Sequence, residues 1–456
     1  MELQHVVQSQ RDFFSLNTTK NIKFRLEKLK LLKSNILKFQ DEICEALKAD
    51  LGKSSTESYM AEIGMVITEL NYIIKHLKGW AKPTTVKTPI SNMGAKSFIT
   101  YEPFGVVLII SPWNYPFLLS IDPLIAAVSA GNCVVLKPSK EAPHVGKIIQ
   151  KLIENTFASN HVFVVLGSEH ANQVILEQKY DYIFFTGGKK VGKMVATKAM
   201  ETLTPVSLEL GGKSPCIIDK SCDLKLAAKR LAFGKFLNCG QTCIAPDYCL
   251  VDASIKEEFI KYVKQEIAQM YTLEPLKNNN YGKIINKKQF DWLISLIDKN
   301  KVVYGGKHNE NTLKIEPTIL DNVELSDPVM QDEIFGPILP ILTYSTIEDA
   351  INIIKGFEKP LALYLFSNNK QIQNQVLTNI SFGGGCINDC IMHIANIHLP
   401  FGGVGASGMG KYHGKQSFLT FSNARSIVKK YNWIDLPLRY QPYNKTKDNL
   451  IKKFMK

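Results

Sequence analysis

A cysteine in the segment FLNCGQTC, residues 236–243, is the first candidate for chemistry. Cys243 stands in a cluster of Gly, Gln and Thr just before a helix or turn, where backbone N–H groups can favour the thiolate over the thiol. Free cysteines are more often buried packing residues than nucleophiles, so this one needs chemically matched partners elsewhere in the chain. With such partners, a thiolate attacks an electrophilic carbon and forms a covalent intermediate.

Two polar residues that follow apolar segments could supply those partners. Glu209, in LELGGKSP, is predicted at a strand end, and the following Gly211 and Gly212 would turn the backbone and leave the carboxylate facing a cleft. Asn114, in SPWNYP, directly follows the apolar run 106–110, and ligands bind at the ends of parallel strands. A carboxylate there can act as a general base, and an amide can stabilise an oxyanion. An Asn in this position can equally cap a loop.

Three more segments indicate a nucleotide site. KPSK and FFTGGKKVGK each follow a predicted strand and fit the strand, turn and helix setting in which dinucleotides bind, although neither contains GxGxxG. In QDEIFGPILP, Glu333 and Phe335 are two residues apart and would share one side of an extended chain, a carboxylate for ribose hydroxyls beside an aromatic wall. The candidate residues in the first two segments are Lys137, Ser139, Lys140, Thr186, Gly187, Gly188 and Gly192.

The elements that must position these residues alternate between short apolar runs and helical segments. Residues 10–80 have the helical spacing of apolar positions. One set of runs predicts a doubly wound parallel sheet, at 106–110, 133–136, 162–166 and 182–185, and another predicts a second α/β domain, at 216–218, 248–251, 339–344 and 361–366. Residues 84–102 predict a projecting hairpin, and the last thirty or so residues predict an arm too irregular for a core helix.

Composition narrows the class of protein. A chain of 456 residues is expected to divide into two or three domains. Its net charge of +13 raises nucleic acid or an anionic membrane surface as partners, but the excess is concentrated after Arg425 and no nucleic-acid-binding motif accompanies it.

Nine cysteines without a secretion signal favour reduced thiols and a cytoplasmic location. No apolar stretch is long enough to predict a membrane anchor.

Six motifs in order make a family resemblance specific: PWN, KPS, FTG with a following Gly, ELGGKSP, GQTC and EIFGP, with PFGGVGASGMGKYHG near the C-terminus. From about residue 10 to 430 the chain resembles the aldehyde dehydrogenase superfamily and, within it, the class 3 and fatty aldehyde dehydrogenase branch. The resemblance implies an α/β fold with a Rossmann-like NAD(P)-binding domain (1–80 and 103–210), a catalytic domain (211–424) and a small β bridging and oligomerisation element (81–102 and 425–456).

The resemblance also implies a role for each motif residue. Cys243 attacks the aldehyde, Asn114 and the Cys243 backbone N–H hold the oxyanion, and Glu209 activates the water that hydrolyses the thioacyl-enzyme. Lys137 bonds the adenine ribose, Glu333 takes the nicotinamide ribose, and Trp113, Thr186, Gly187, Gly188 and Phe335 lie along the cofactor. Many relatives have Glu where this chain has Lys140, so a cation there is compatible with NADP+ as well as NAD+. Relatives often carry Ser or Asn at Gly188, which leaves backbone N–H groups to bind the pyrophosphate.

Two other functions stay open from the sequence. An acylating enzyme would transfer the acyl group to coenzyme A instead of water, and Glu209 argues against it. A catalytically silent binding protein could use the same fold, although every catalytic position is filled. The pairs Cys239/Cys243 and Cys386/Cys390 lack the further ligands of a zinc site, so we expect no metal. A reversible Cys239–Cys243 disulfide is a further hypothesis.

The resemblance also implies a substrate class and an oligomeric state. Tyr115, Leu237, Ile391 and Met65 match positions of the substrate funnel, and their apolar character suits medium- to long-chain aliphatic or aromatic aldehydes. The family pairs exposed strand edges across subunits, so we expect a homodimer. The tail from Tyr443 to Lys456 lacks the hydrophobic anchor of the membrane-bound fatty aldehyde enzyme.

Overall fold

The computed structural model describes residues 3–167 and 174–455. The helices of at least nine residues within this part are Leu3–Ser15, Ile22–Lys38, Gln40–Leu51, Gly64–Trp80, Leu118–Ala130, Pro143–Glu154, Lys189–Met200, Leu224–Phe236, Lys256–Tyr271, Lys287–Ser295, Ile347–Lys355, Lys370–Asn379 and Lys445–Phe454. The strands are β1 (Thr84–Val86), β2 (Ala95–Pro103), β3 (Val106–Ile110), β4 (Cys133–Lys137), β5 (Val162–Val164), β6 (Tyr182–Thr186), β7 (Val206–Glu209), β8 (Pro215–Ile218), β9 (Tyr248–Asp252), β10 (Val302–Tyr304), β11 (His308–Asn309), β12 (Lys314–Ile315), β13 (Thr318–Leu320), β14 (Ile338–Tyr344), β15 (Ala362–Phe366), β16 (Gly384–Ile387), β17 (Gly408–Met409) and β18 (Ser422–Lys430).

The N-terminal residues form helices, as predicted, because one apolar stripe recurs at helical spacing. In the helix Ile22–Lys38 the stripe of Leu26, Leu29, Leu32 and Ile36 is buried, and the Asn21 side chain accepts from the Lys23 N–H at the first turn. The helix Leu3–Ser15 packs on β3 and β4 of the first sheet, whose strand order is β17-β7-β6-β3-β4-β5. Strands β3 to β7 are parallel, and β17 is antiparallel to β7.

The parallel sheet brings three predicted site residues to one edge. Lys137, Thr186 and Glu209 are the last residues of β4, β6 and β7, so all three lie at the carboxyl ends of their strands. Ligands of doubly wound sheets bind at this edge.

A second sheet has the order β10-β13-β14-β9-β8-β15-β16. Its strands are parallel except for β10, which is antiparallel to β13. The predicted second α/β unit is therefore present, and its central strands are buried because both faces are covered.

The third sheet joins two distant segments. The predicted hairpin is formed by β1 and β2, antiparallel with Thr84 opposite Ile99, and β18 pairs with the other edge of β2 along its full length. The C-terminal arm is more regular than predicted, because it begins within a nine-residue strand and ends in the helix Lys445–Phe454. The side chains of residues 445–453 in that helix are exposed or half-buried.

Within residues 3–167 and 174–455, every helix is too short or too polar to cross a bilayer.

Candidate active site

The backbone before Cys243 turns sharply through three left-handed residues. Asn238, Cys239 and Gly240 have φ values of 52°, 54° and 73°, directly after the helix Leu224–Phe236. At Gly240 a Cβ would lie 2.2 Å from the carbonyl oxygen of Gly336, so only glycine fits this turn. The turn directs Cys239 into a buried cluster with Tyr281 and Leu293 and leaves Cys243 partly exposed.

The Cys243 thiol lies in an environment that disfavours its charge. Burial raises its pKa to about 12, and the carboxylates of Glu333 and Glu209 act in the same direction. The backbone N–H groups of Cys243 and Ile244 lower the pKa but do not outweigh these effects. A turn rather than a helix follows Cys243. In the chain alone, desolvation therefore exceeds the help that the backbone donors give to the thiolate.

Glu209 is a buried carboxyl group, and neither Oε1 nor Oε2 has a hydrogen-bond partner among residues 3–167 and 174–455. Burial raises the pKa of Glu209 well above its usual value, and Lys411 lowers it only in part. Buried polar groups are normally satisfied, so these two oxygens are kept available for a bound molecule.

Hydrogen bonds hold both the backbone and the side chain of Asn114. Its carbonyl oxygen accepts from Lys53 Nζ at 3.1 Å and from Asn238 Nδ2 at 2.8 Å. Its own Nδ2 donates to the carbonyl oxygen of Gln241 at 3.0 Å. An amide nitrogen has two N–H bonds, so one remains for a ligand beside Cys243.

A pocket lined mainly by apolar side chains leads to the thiol. All four residues predicted for the substrate funnel line it: Met65, Tyr115, Leu237 and Ile391. Glu209 and Cys243 face the same pocket. This surface suits an aldehyde whose remaining part is apolar.

A second cleft meets the pocket at Leu119, Thr186 and Cys243. The predicted cofactor residues that line it are Trp113, Thr186, Gly187, Gly188, Glu333 and Phe335, together with Asn114. Gln289 and Trp292, on the helix Lys287–Ser295, also line it. The sequence did not predict these two lining residues, because their helix contains no recognisable binding motif.

Glu333 and Phe335 both face the cleft, but the extended chain predicted for them is wrong. Phe335 has a left-handed φ of 51°, and β14 begins only at Ile338. The Phe335 ring meets the Trp113 ring edge-on, with centroids 5.4 Å apart. These two rings form one wall of the cleft.

The cleft has the form that a dinucleotide needs. At Gly188, the first residue before the helix Lys189–Met200, a Cβ would have open space around it, so the helix N-terminus is accessible to phosphate. At Gly211 a Cβ would lie 2.2 Å from the Glu333 carboxylate, so a side chain there would displace it. The Thr186 hydroxyl is buried and unpartnered. Burial raises the pKa of Glu333 to about 8, with Asp247 acting in the same direction.

The other predicted cofactor residues lie farther along the same sheet edge or behind it. Burial, followed by the charge of Lys140, lowers the pKa of Lys137, so these two ammonium groups are neighbours. Ser139 Oγ accepts from the Glu141 N–H at 3.2 Å. Gly192 lies within its helix, where a Cβ would come 2.7 Å from Leu210. Gly192 therefore lets the helix pack closely, and the structure gives it no contact with the cleft.

Two secondary hypotheses can be compared with the geometry. Among residues 3–167 and 174–455, no three His, Cys, Asp or Glu side chains are arranged as a metal site. Cys239 packs in one core cluster, whereas Cys243 packs against another. The two thiols therefore lie in different packing environments, and the disulfide between them stays a hypothesis.

Comparisons with known proteins agree with this site. The model of the aldehyde dehydrogenase family matches residues 1–427. A 4,4'-diaponeurosporen-aldehyde dehydrogenase of Staphylococcus aureus is 46% identical over 97% of each chain. A dimeric NADP-preferring aldehyde dehydrogenase of Rattus norvegicus is 44% identical over 94% of each chain. The solved structure of a substrate-bound Staphylococcus aureus AldH has a TM-score of 0.98, 44% identity and full coverage of both chains.

A more distant solved structure shows the same fold. An indole-3-acetaldehyde dehydrogenase in complex with NAD+ has a TM-score of 0.86 at 28% identity, with 94% of this chain and 88% of that chain covered. The chain therefore belongs to the aldehyde dehydrogenase family and is an NAD(P)+-dependent aldehyde dehydrogenase.

Proposed function

We propose that this enzyme oxidises an aldehyde to the carboxylic acid by a hydrolytic mechanism, with Cys243 as nucleophile, Asn114 as oxyanion donor and Glu209 as general base. The observation that carries the proposal is the position of Cys243, which lines both the apolar pocket and the second cleft. An aldehyde entering through the pocket and a nucleotide lying in the cleft would meet at this side chain.

The first half-reaction begins at the thiol. The Cys243 thiol releases its proton to solvent, and the sulfur adds to the carbonyl carbon of the aldehyde. The oxyanion that forms is held by the free N–H of the Asn114 amide and the Cys243 backbone N–H. A nicotinamide bound in the cleft would accept the hydride from this carbon, and its positive ring would favour the anionic forms of the nearby thiol and carboxyl group. The residue left on Cys243 is a thioester.

The second half-reaction needs a base beside the thioester. Glu209 lines the same pocket as Cys243, and both its oxygens lack a hydrogen-bond partner. The ionised carboxylate takes a proton from water as the water oxygen attacks the thioester carbon. The carbon–sulfur bond then breaks, the proton held by Glu209 passes to the sulfur, and the acid leaves.

For the cofactor we propose that Glu333 bonds the nicotinamide ribose and Lys137 the adenine ribose. Trp113, Thr186, Gly187, Gly188 and Phe335 would lie along the nucleotide, and Ser139 and Lys140 would lie near its adenosine end. A pair of neighbouring cations at Lys137 and Lys140 supports binding of a 2′-phosphate. The rat relative is named as NADP-preferring, and we keep both NAD+ and NADP+ as cofactors.

For the substrate we propose medium- to long-chain aliphatic or aromatic aldehydes. The support is the apolar lining of the pocket, including Phe233, Leu237 and Ile391, because an apolar chain gains about 0.8 kcal/mol for each methylene that it buries. The bacterial relative is named for an aldehyde, 4,4'-diaponeurosporen-aldehyde.

We also propose a cytoplasmic homodimer with the domain boundaries given above. A relative is named as dimeric, and β18 leaves one edge unpaired with Val428 exposed, which suits strand addition by a second copy. All nine cysteines are free thiols, as expected in a reducing compartment.

The origin of the product oxygen tests the hydrolytic mechanism. In water enriched in oxygen-18, octanal oxidation should give octanoic acid with one labelled oxygen from the hydrolytic water, after correction for exchange of the aldehyde oxygen in an enzyme-free control. Coenzyme A should neither accelerate NAD(P)H formation nor yield octanoyl-CoA. Formation of octanoyl-CoA would instead identify the acylating reaction.

A further inference from the structure

A buried ion pair lies directly behind the Asn114 backbone. Lys53 and Glu62 are both fully buried, and Lys53 Nζ lies 2.5 Å from Glu62 Oε1. The same nitrogen donates to the Asn114 carbonyl oxygen at 3.1 Å and lies 4.0 Å from the centre of the Tyr115 ring. The three N–H bonds of an ammonium thus have a carboxylate, a carbonyl and an aromatic face to bind.

Glu62 ties the pair to the segment that carries Asn114. Its second oxygen accepts from the N–H groups of Phe117 and Leu118 at 2.9 and 3.1 Å, where the helix Leu118–Ala130 begins. Asn114 therefore lies in a loop that is held at two points. Lys53 binds the carbonyl oxygen of Asn114, and Glu62 binds the backbone three residues later.

A second set of bonds connects this loop to the nucleophile. Asn238 Nδ2 donates to the carbonyl oxygens of both Asn114 and Gln241. The Tyr115 hydroxyl lies 2.8 Å from the hydroxyl of Thr242, the residue before Cys243. The Lys53 ammonium is thus in direct contact with the loop that carries the oxyanion donor and, through the Tyr115 ring, with the loop that carries the thiol.

We propose that Lys53 is a positioning residue for the oxyanion amide: its ammonium, paired with Glu62, holds the Asn114 carbonyl and so fixes the Asn114 side chain relative to Cys243. This inference rests on the proposed role of Asn114. A buried ion pair is no better for stability than apolar residues of similar volume, whereas an oxyanion donor must be placed within a few tenths of an ångström. Positioning accounts for a buried charge at this point of the fold, where stability alone does not.

A double-mutant cycle separates positioning from folding. We would measure kcat and KM for hexanal with the full-length enzyme and its Lys53→Met, Asn114→Ala and Lys53→Met/Asn114→Ala variants. We expect Lys53→Met to lower kcat about 10- to 100-fold with little change in KM, because the loss falls on the transition state. In the Asn114→Ala background the same substitution should cost about twofold or less, because the group that Lys53 positions is gone.

Two further variants address the possibility that Lys53→Met alone misfolds. Lys53→Met/Glu62→Gln removes both charges and leaves a side-chain oxygen for the Phe117 and Leu118 N–H groups, so it should recover Tm but not kcat. Lys256→Met/Asp321→Asn removes a mostly buried pair with an N–O distance of 3.0 Å at the start of the helix Lys256–Tyr271. This matched control should change Tm without the loss of kcat.

Alkylation of Cys243 by iodoacetamide supplies a readout that involves no carbonyl oxyanion. Its rate at fixed pH should stay within about twofold of the native value in Lys53→Met, in contrast to kcat. Three results would each overturn the inference. The first is a parallel loss of alkylation and kcat in Lys53→Met, and the second is recovery of kcat together with Tm in Lys53→Met/Glu62→Gln. The third is a full effect of Lys53→Met in the Asn114→Ala background. An Asn114→Ala variant with native kcat would instead contradict the proposed oxyanion role itself, and the inference with it.

Discussion

The carboxylate of Glu209 and the thiol of Cys243 line the same apolar pocket, and Glu209 is among the groups that disfavour the Cys243 thiolate. Burial is the larger cause, and it also raises the pKa of Glu209 well above its usual value. In the chain alone, burial therefore disfavours the charged form of both the nucleophile and the base.

The first prediction concerns the pH dependence of thiol reactivity. Because burial raises the pKa of Cys243 to about 12, the thiolate fraction of the cofactor-free enzyme should rise about tenfold for each pH unit between pH 7 and 10. The rate of iodoacetamide alkylation at the Cys243 peptide, followed by mass spectrometry, should rise in the same way. A plateau below pH 8 would mean that the thiol is already ionised there.

The second prediction concerns stability and the charge of Glu209. The folded-state pKa of Glu209 is raised above the unfolded value, so the folded state binds the extra proton and stability falls as pH rises above the unfolded pKa. Glu209→Gln should therefore raise the free energy of unfolding at pH 8 by about 1–2 kcal/mol and by less at pH 5. Thermal unfolding at both pH values measures this difference, and an equal shift at the two pH values would contradict the assignment.

The third prediction separates the two half-reactions. Glu209→Gln should form close to one NAD(P)H per active site in a rapid burst and then turn over about 10²- to 10⁴-fold more slowly than the native enzyme, because the amide cannot take a proton from water. Stopped-flow absorbance resolves the burst from the steady state. Loss of the burst itself would place Glu209 in the first half-reaction.

The fourth prediction tests the residues that would hold the nucleotide. In Gly211→Ala the new Cβ would lie 2.2 Å from the Glu333 carboxylate, so Glu333 must move and the Kd of the preferred cofactor should rise about tenfold, equivalent to about 1.4 kcal/mol. Gly79→Ala is the matched control, because nothing lies within 4 Å of its Cβ. The control should bind cofactor normally and be about 0.5–1 kcal/mol more stable, since Ala favours the helix. Equal cofactor affinity in both variants would remove Glu333 from the binding site.

The sequence predicted well the features that depend on local patterns. The strand Val106–Ile110 is found at its predicted bounds, because continuous apolar runs are specific for buried parallel strands. Glu209 and Asn114 were predicted at the ends of such strands and Cys243 from the composition of its own segment, and the structure brings Cys243 together with each of the other two.

The features that the sequence did not predict depend on tertiary packing. The left-handed backbone of Phe335 overrides the alternation expected of an extended chain. Trp292 reaches the cleft from a helix whose pattern indicates only amphipathic packing. The pKa of Cys243 follows from its burial, which a list of neighbouring residues in sequence does not reveal. Lys53 lies 61 residues from Asn114 in the chain, so its contact with the active site became visible only in the fold.

The most direct test of the central claim is formation of NADH and NADPH, followed by absorbance, with hexanal, octanal and benzaldehyde. We predict that NAD(P)H forms without coenzyme A, is abolished by Cys243→Ala, and is lost from steady-state turnover but kept in the burst by Glu209→Gln. Unchanged activity in Cys243→Ala, or activity that requires coenzyme A, would contradict the hydrolytic mechanism proposed for this enzyme.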